Sequence, residues 1–166
     1  MRCDLALLIG ALGALNGCER ADLSGPPVVR LGRDECVSCG MIISEDRCSG
    51  ALLVESEGER EYRLFDDLGC LLDYERENAL RLRVVATFAR DHDTGEWITS
   101  ASPTFLFGAG EHIRTPMGSG IVAYGTRERG EAARRRSGGD MMDVRQVSAA
   151  RQDWTERRFG KSESPR

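Results

Sequence analysis

Two successive stretches of the chain, 45–92 and 96–147, show the same order of sequence patterns, and this repetition constrains the fold most. In the first stretch, an apolar run at 51–55 and an alternating run at 61–65 predict two strands. A helix pattern follows, and 81–90 then alternates again. The residue identities do not repeat between the two stretches. We therefore predict an α+β fold of two small strand–strand–helix–strand units in tandem.

Helix and turn signals separate the predicted strands in both units. In the first unit Asp66 or Asp67 can cap the helix, and Cys70 lies in its first turns. In the second unit Thr126 is the predicted cap of a helix that ends at Gly138-Gly139. The strand patterns of the second unit cover 97–100, 104–107, 121–124 and 141–147.

The first 17 residues have the pattern of an export signal. Arg2 precedes an apolar run over 5–15 that is too short to cross a bilayer as a permanent helix. Leu15-Asn16-Gly17-Cys18 resembles a bacterial lipobox, so we expect cleavage after residue 17 and lipidation of Cys18. An ordinary secretory signal is the alternative. The lipobox predicts a membrane-anchored lipoprotein that faces the periplasm or the cell exterior.

The predicted domain spans 34–147, and the segments on either side of it look less ordered. Residues 18–33 contain Gly25-Pro26-Pro27, which predicts a lipid anchor and a linker without packed structure. Residues 148–166 are predicted to form a polar C-terminal tail with a short helix around Trp154. The net charge of −4 offers no positive field to phosphates, so we expect no nucleic-acid partner.

The 166-residue chain has six cysteines, which is many for its length. Cys3 would leave with the signal, and Cys18 would carry lipid. The four that remain are Cys36, Cys39, Cys48 and Cys70. Their compartment permits disulfides, and four cysteines allow three full pairings. Cys70 can ligate a metal, pair with Cys48 or simply pack.

The densest chemical motif is Cys36-Val37-Ser38-Cys39-Gly40-Met41. Two thiols three residues apart can point at one centre, and Gly40 lets the backbone turn tightly around it. Met41 adds a thioether. Because thiolates and thioethers are soft ligands, this set favours Cu(I) over hard cations.

Three other interpretations of Cys36 and Cys39 remain open from spacing alone. A structural zinc site would need a second ligand pair at similar spacing, which the sequence lacks. A Cys36–Cys39 disulfide would suit an oxidising compartment. A thiol–disulfide oxidoreductase of thioredoxin type would place the pair at the start of a helix, whereas Ile42-Ile43 indicates a strand.

Met117 favours the metal site. It lies in Thr115-Pro116-Met117-Gly118-Ser119-Gly120. The flanking proline and glycine predict a loop, so Met117 is not expected to fill the core from the apolar face of a helix or strand. A loop methionine folded onto the core is the alternative. Met141 and Met142 lie among aliphatic residues of a predicted strand, so we expect them in the core. No nucleophile–base pair or phosphate-binding loop appears in the sequence, and we do not expect an enzyme.

The segment Asp34-Glu35-Cys36-Val37-Ser38-Cys39-Gly40-Met41-Ile42-Ile43 resembles the signature of the NosL family. Members of that family are lipoproteins that serve as accessory proteins of nitrous oxide reductase. The Pro116-Met117-Gly118 loop and the later Gly138-Gly139 pair are also similar to the family. The likeness runs in order from about 34 to 147.

This resemblance implies a membrane-anchored copper chaperone that binds one Cu(I) ion. It also implies partners: an ABC-type membrane complex and a client that is nitrous oxide reductase or a related copper enzyme. The family fold is a pair of strand–strand–helix–strand units, in agreement with the repeat. Carried over to this chain, the copper ligands would be Cys39, Met41 and Met117. Cys36 is a further candidate.

Overall fold

The structure, a computed structural model, describes residues 23–99, 103–109 and 112–160. Within these ranges the chain forms six strands and three helices. The predicted signal peptide, 1–17, and the predicted lipidation site, Cys18, lie outside the described residues. Among the helices that are described, none combines the length and the apolar character needed to cross a membrane.

The first unit contains three strands and one helix. They are β1 (Gly50–Ser56), β2 (Glu59–Phe65), α1 (Leu68–Glu77) and β3 (Arg83–Ala89). The strands form an antiparallel sheet of order β2-β1-β3. A tight turn at Glu57-Gly58 joins β1 to β2, and both residues have positive φ. Strand β1 lies in the centre of the sheet, so β2 is an edge strand.

The second unit repeats this topology. Its elements are β4 (Thr104–Phe107), β5 (Ile121–Tyr124), α2 (Arg127–Ser137) and β6 (Asp140–Met142). Its sheet has the order β5-β4-β6, again antiparallel with the first strand in the centre. The predicted α+β fold of two strand–strand–helix–strand units is therefore confirmed.

The strand predictions for 97–99 and 141–147 were wrong in part, and residue 100 lies outside the described residues. Trp97 forms one antiparallel bridge with Arg90 and belongs to no strand. The last strand ends at Met142, and the helix α3 (Val144–Phe159) begins directly after it. Asp143 caps α3, because its carboxylate accepts a hydrogen bond from the Gln146 amide while the Gln146 side chain accepts one from the Asp143 amide. This capping box starts a helix within the segment that was predicted as a strand.

Both flanking segments have more structure than the sequence predicted. Helix α3 covers most of the predicted polar tail, 148–166, and is far longer than a short helix around Trp154. It is held in place by Val147, which is fully buried, and by Arg151, whose guanidinium contacts Asp73 of α1 at 2.8 Å. In the predicted linker, 18–33, the Gly25 carbonyl accepts a hydrogen bond from the Tyr62 hydroxyl of β2. The described part of that linker therefore contacts the first unit.

The hydrophobic core joins the two units. One buried cluster combines Leu52, Phe65 and Leu71 of the first unit with residues of the second, including Phe105 and Ile121. A second cluster lies mainly within the second unit and contains Cys48, Leu106, Val122, Tyr124 and Ala133. Because the larger cluster draws on both sheets, the units share one core.

Candidate metal centre

The segment that carries Cys36 and Cys39 folds into a tight turn on the edge of the first sheet. The Cys36 amide donates to the Met41 carbonyl, and the Gly40 amide donates to the Cys36 carbonyl, both at 2.8 Å. Gly40 has φ of +72°, a left-handed conformation that favours glycine. The Val37 amide donates to the Leu64 carbonyl at 2.9 Å and so fixes the turn to the free edge of β2.

The same edge strand leads directly into a second group of potential ligands. Strand β2 ends at Phe65, and Asp67 caps α1 by accepting a hydrogen bond from the Gly69 amide at 2.6 Å. This places Asp66 just before the helix and Cys70 in its first turn, with both side chains buried. The start of α1 therefore lies beside the cysteine turn, because both are attached to the end of β2.

Four side chains meet between the turn and the helix. Each offers one ligand atom, and these atoms all lie within 4.8 Å of one another: they come from Cys36, Cys39, Asp66 and Cys70. The Cys39 thiol is directed at the Asp66 carboxylate, with Sγ 3.7 and 3.8 Å from its two oxygens. We call these four residues the sulfur cluster.

Hydrogen bonding within the sulfur cluster gives its thiols different pKa values. The hydrogen bond with Cys70 lowers the pKa of Cys36, although burial opposes this change. The same hydrogen bond, together with burial, raises the pKa of Cys70. Burial raises the pKa of Cys39, and burial with the Cys36 contact raises the pKa of Asp66 to about 6. One thiolate is thus favoured, and a soft metal would displace protons from the other two thiols.

The two candidate methionines lie at the surface. Met41 is 54% exposed and Met117 is 45% exposed. The Met117 amide donates to the Asp67 carboxylate at 2.9 Å, which attaches the loop 115–120 to the cap of α1. Gly69 makes room for this loop, since a Cβ built on it would lie 2.5 Å from the Ser119 Cβ. Met117 lies 50 residues after Asp67 in the sequence. The hydrogen bond between them therefore attaches the Met117 loop next to the sulfur cluster.

The structure thus joins some predicted site residues and adds others. Cys36 and Cys39 share one cluster, and the segments of Met41 and Met117 border it. The sequence left the role of Cys70 open and did not predict Asp66 as a ligand. The hydrogen bond between the Val37 amide and the Leu64 carbonyl helps to bring them together, and no local spacing in the sequence indicates it.

Cys48 differs from the other three cysteines of the described chain. All four are free thiols, but Cys48 is buried in the second hydrophobic cluster, apart from Cys70. Burial raises the pKa of the Cys48 thiol to about 12. Cys48 is therefore a packing residue. Met142 and Met141 are partly buried against the first and second clusters respectively, as expected for core methionines.

The sulfur cluster is suited to binding a soft metal ion. Three sulfur donors and one carboxylate lie close enough together to hold one metal ion. No second ligand pair follows at similar spacing, as the sequence argument against a structural zinc site stated. The second pair of ligands comes from the start of α1 and not from a repeated motif. The Cys36–Cys39 pair itself lies in a turn and not in the first turn of a helix.

Comparison with known proteins agrees with this fold. The family model named NosL matches residues 27–151, and the chain therefore belongs to the NosL family. The structure is similar to the crystal structure of the copper chaperone NosL from Shewanella denitrificans, with a TM-score of 0.63. The two chains are 18% identical, and the match covers 76% of this chain and 97% of that one. None of the curated proteins matches the sequence.

Proposed function

We propose that this protein binds Cu(I) outside the cytoplasm and delivers it to a copper enzyme. The observation that carries this proposal is the cluster of three thiols at one edge of the first unit. Thiolates are the ligands that Cu(I) prefers, and a carboxylate alone would favour harder ions. Membership of the NosL family supports the same function.

The distribution of exposure around the cluster suits transfer of a metal ion. Cys36 is 1% exposed, whereas Met41 and Met117 are about half exposed. Neutral thioethers at the surface can take up a Cu(I) ion or release it to ligands of a partner, while the buried thiolates retain it. We infer that Cys36 and Cys39 retain the ion and that Met41 and Met117 mediate its exchange.

The partners are those that the resemblance to the NosL family implies, and the location is the one that the lipobox pattern predicts; both belong to the proposal. A lipid on Cys18 would hold the protein at a membrane surface, facing the periplasm or the cell exterior. There an ABC-type membrane complex would be the copper-loading partner. Nitrous oxide reductase or a related copper enzyme would be the client. Radiolabelled palmitate incorporation by the parent chain, and its absence in Cys18→Ala, tests the anchor.

Copper binding is tested by titrating the reduced protein with Cu(I) under anaerobic conditions. We expect one Cu(I) per chain, and the substitutions Cys36→Ser and Cys39→Ser together should remove binding. Cys48→Ser is the matched control, because Cys48 is as buried as Cys36 but lies in the other cluster. A reduced parent protein that binds no Cu(I) would contradict the proposal.

The lowered pKa of Cys36 favours a second candidate, a tethered thiol–disulfide oxidoreductase that uses Cys36 and Cys39. In such a reaction the Cys36 thiolate attacks a substrate disulfide, and Cys39 then displaces the substrate thiol. The substrate disulfide is reduced to two thiols while Cys36 and Cys39 are oxidised to a disulfide. Insulin reduction tests this candidate, which requires activity that is lost in Cys39→Ser and unchanged in Met117→Leu.

A further inference from the structure

We propose that Cu(I) has two positions in this protein, and that Cys70 is a ligand of the inner one. The inner position is formed by Cys36, Cys39 and Cys70. The outer position is formed by Cys39, Met41 and Met117, so that Cys39 belongs to both. This inference rests on the proposed function and adds a thiolate that the motif does not contain.

The geometry of the inner position fits a metal ion bound by three sulfurs. The ligand atoms of the sulfur cluster lie within 4.8 Å of one another. Three sulfurs at roughly 2.3 Å from a shared ion would lie about 4 Å apart, so binding requires only a small contraction. Two of the three sulfurs come from the turn and the third from α1, so this contraction would also draw the two segments together.

Asp66 lies in the same cluster, but its oxygens are hard ligands that Cu(I) does not prefer. Its carboxylate accepts a hydrogen bond from the Cys39 thiol, and this contact directs Cys39 towards the other two sulfurs. Asp66 therefore positions Cys39 and is not assigned as a ligand of Cu(I).

The exposure of the ligand side chains indicates which of the two positions is buried and which is at the surface. Cys36 is 1% exposed and Cys70 is 8% exposed, so an ion between them is shielded from solvent and from other proteins. Cys39 is half-buried and lies between this site and the surface. Because the two methionines at the surface are neutral ligands, they bind the ion more weakly than thiolates do. A partner would therefore take the ion from the outer position after Cys39 has moved with it.

The direct test compares Cys70→Ser with Cys48→Ser in a competition titration against a Cu(I) chelator. Substituting a residue that hydrogen-bonds to a metal ligand costs about 10–100-fold in affinity, so losing a ligand itself should cost at least about 100-fold. We expect that loss in Cys70→Ser, and affinity within about threefold of the parent in Cys48→Ser. Equal affinity of Cys70→Ser and the parent would overturn the inner position while leaving copper binding itself intact.

A second variant keeps the proposal testable if Cys70→Ser does not fold, which circular dichroism would show. The double variant Met41→Leu, Met117→Leu retains all three inner thiols. We expect it to keep the ultraviolet absorption of Cu(I)–thiolate bonds and an affinity within about tenfold of the parent, while transfer of copper to the chelator slows by at least about tenfold. Loss of all Cu(I) binding in this double variant would overturn the inner position. Absence of binding in the parent would instead overturn the proposed function.

Discussion

The two units have the same topology, but they use the start of their helices differently. In each unit the helix follows the second strand, and its cap is Asp67 in the first and Thr126 in the second. Three residues after the cap, the first unit has Cys70 and the second has Arg129. The first helix start thus carries part of the sulfur cluster, and the second carries an ion pair. The shared scaffold therefore does not determine the chemistry, which depends on what lies beside each helix start.

The neighbour of the second helix start is a buried carboxylate that joins the two sheets. Asp91 follows β3 and accepts hydrogen bonds from the amides of Gly125 and Asp93 at 2.8 and 3.0 Å. Arg129 contacts the same carboxylate at 3.2 Å. Asp91 thus holds backbone amides and a guanidinium together, and these contacts stabilise the fold. In the first unit the corresponding space holds thiols that can bind something else.

The two units should differ most in the stability that is lost when their helix caps are substituted. Asp67 is fully buried, and its carboxylate accepts hydrogen bonds from the amides of Gly69 and Met117. Asp67→Ala leaves two amides without a partner and should lower the free energy of unfolding by about 3 kcal/mol. Thr126 is exposed and caps with one contact of 3.4 Å, so Thr126→Ala should cost about 0.5–1 kcal/mol. Urea denaturation measures both, and equal losses would show that the caps are equivalent.

Asp91 should be the most sensitive position of the second helix start. Burial opposes its ionisation, but the hydrogen bonds from Gly125, Thr94 and Asp93 and the charge of Arg129 outweigh burial and lower its pKa. At neutral pH, Asp91→Asn should lower the free energy of unfolding by about 2 kcal/mol, because the charged acceptor is lost.

The difference in free energy of unfolding between the parent and Asp91→Asn should depend on pH, and this dependence identifies its cause. A carboxylate with a lowered pKa in the folded state stabilises the protein fully above the unfolded pKa of about 3.9. This stabilisation is lost as the pH falls through the lower, folded pKa. Unfolding measured from pH 7 to pH 3 should therefore show the parent and Asp91→Asn converging only below about pH 4. A difference that stays constant over this range would assign the loss to packing.

A smaller effect is expected at the second helical residue of each unit, which is Gly69 in α1 and Glu128 in α2. In Gly69→Ala the new Cβ would lie 2.5 Å from the Ser119 Cβ, so the loop 115–120 must shift. Such crowding costs about 1–3 kcal/mol, and the better helix propensity of alanine offsets up to about 1 kcal/mol of it. We expect a net loss of about 1 kcal/mol in a thermal denaturation experiment. Glu128 is exposed, and Glu128→Ala should change stability by less than about 0.5 kcal/mol.

The fold was largely predictable because its signals are local. Apolar alternation located most strands, and the caps Asp67 and Thr126 were readable from the residues that follow a strand. The start of α3 was not predicted, since the apolar residues of 141–147 suit a strand as well as a helix. The capping box of Asp143 and Gln146 decides between them, because it satisfies the backbone groups at the start of α3.

The candidate site was predictable only in part because half of it is not local. The motif at 36–41 indicated soft ligands because it places two thiols and a thioether within six residues. Cys70 and Asp66 join it because the Val37 amide bonds to the Leu64 carbonyl, a contact between segments 27 residues apart. A pattern search cannot find such a contact, since nothing in the sequence states which residues border the free edge of β2. Conversely, Cys48 looked equivalent to Cys70 in the sequence and is separated from it by the core.

We propose that the first unit binds Cu(I) through its three clustered thiols and that Cys48 takes no part. Alkylation of the reduced protein with iodoacetamide under anaerobic conditions, followed by mass spectrometry, measures the labelling rate of each cysteine with and without one equivalent of Cu(I). We expect Cu(I) to slow labelling of Cys36, Cys39 and Cys70 and to leave the rate at Cys48 unchanged. Unchanged rates at all three clustered cysteines, or protection of Cys48 alone, would contradict this proposal.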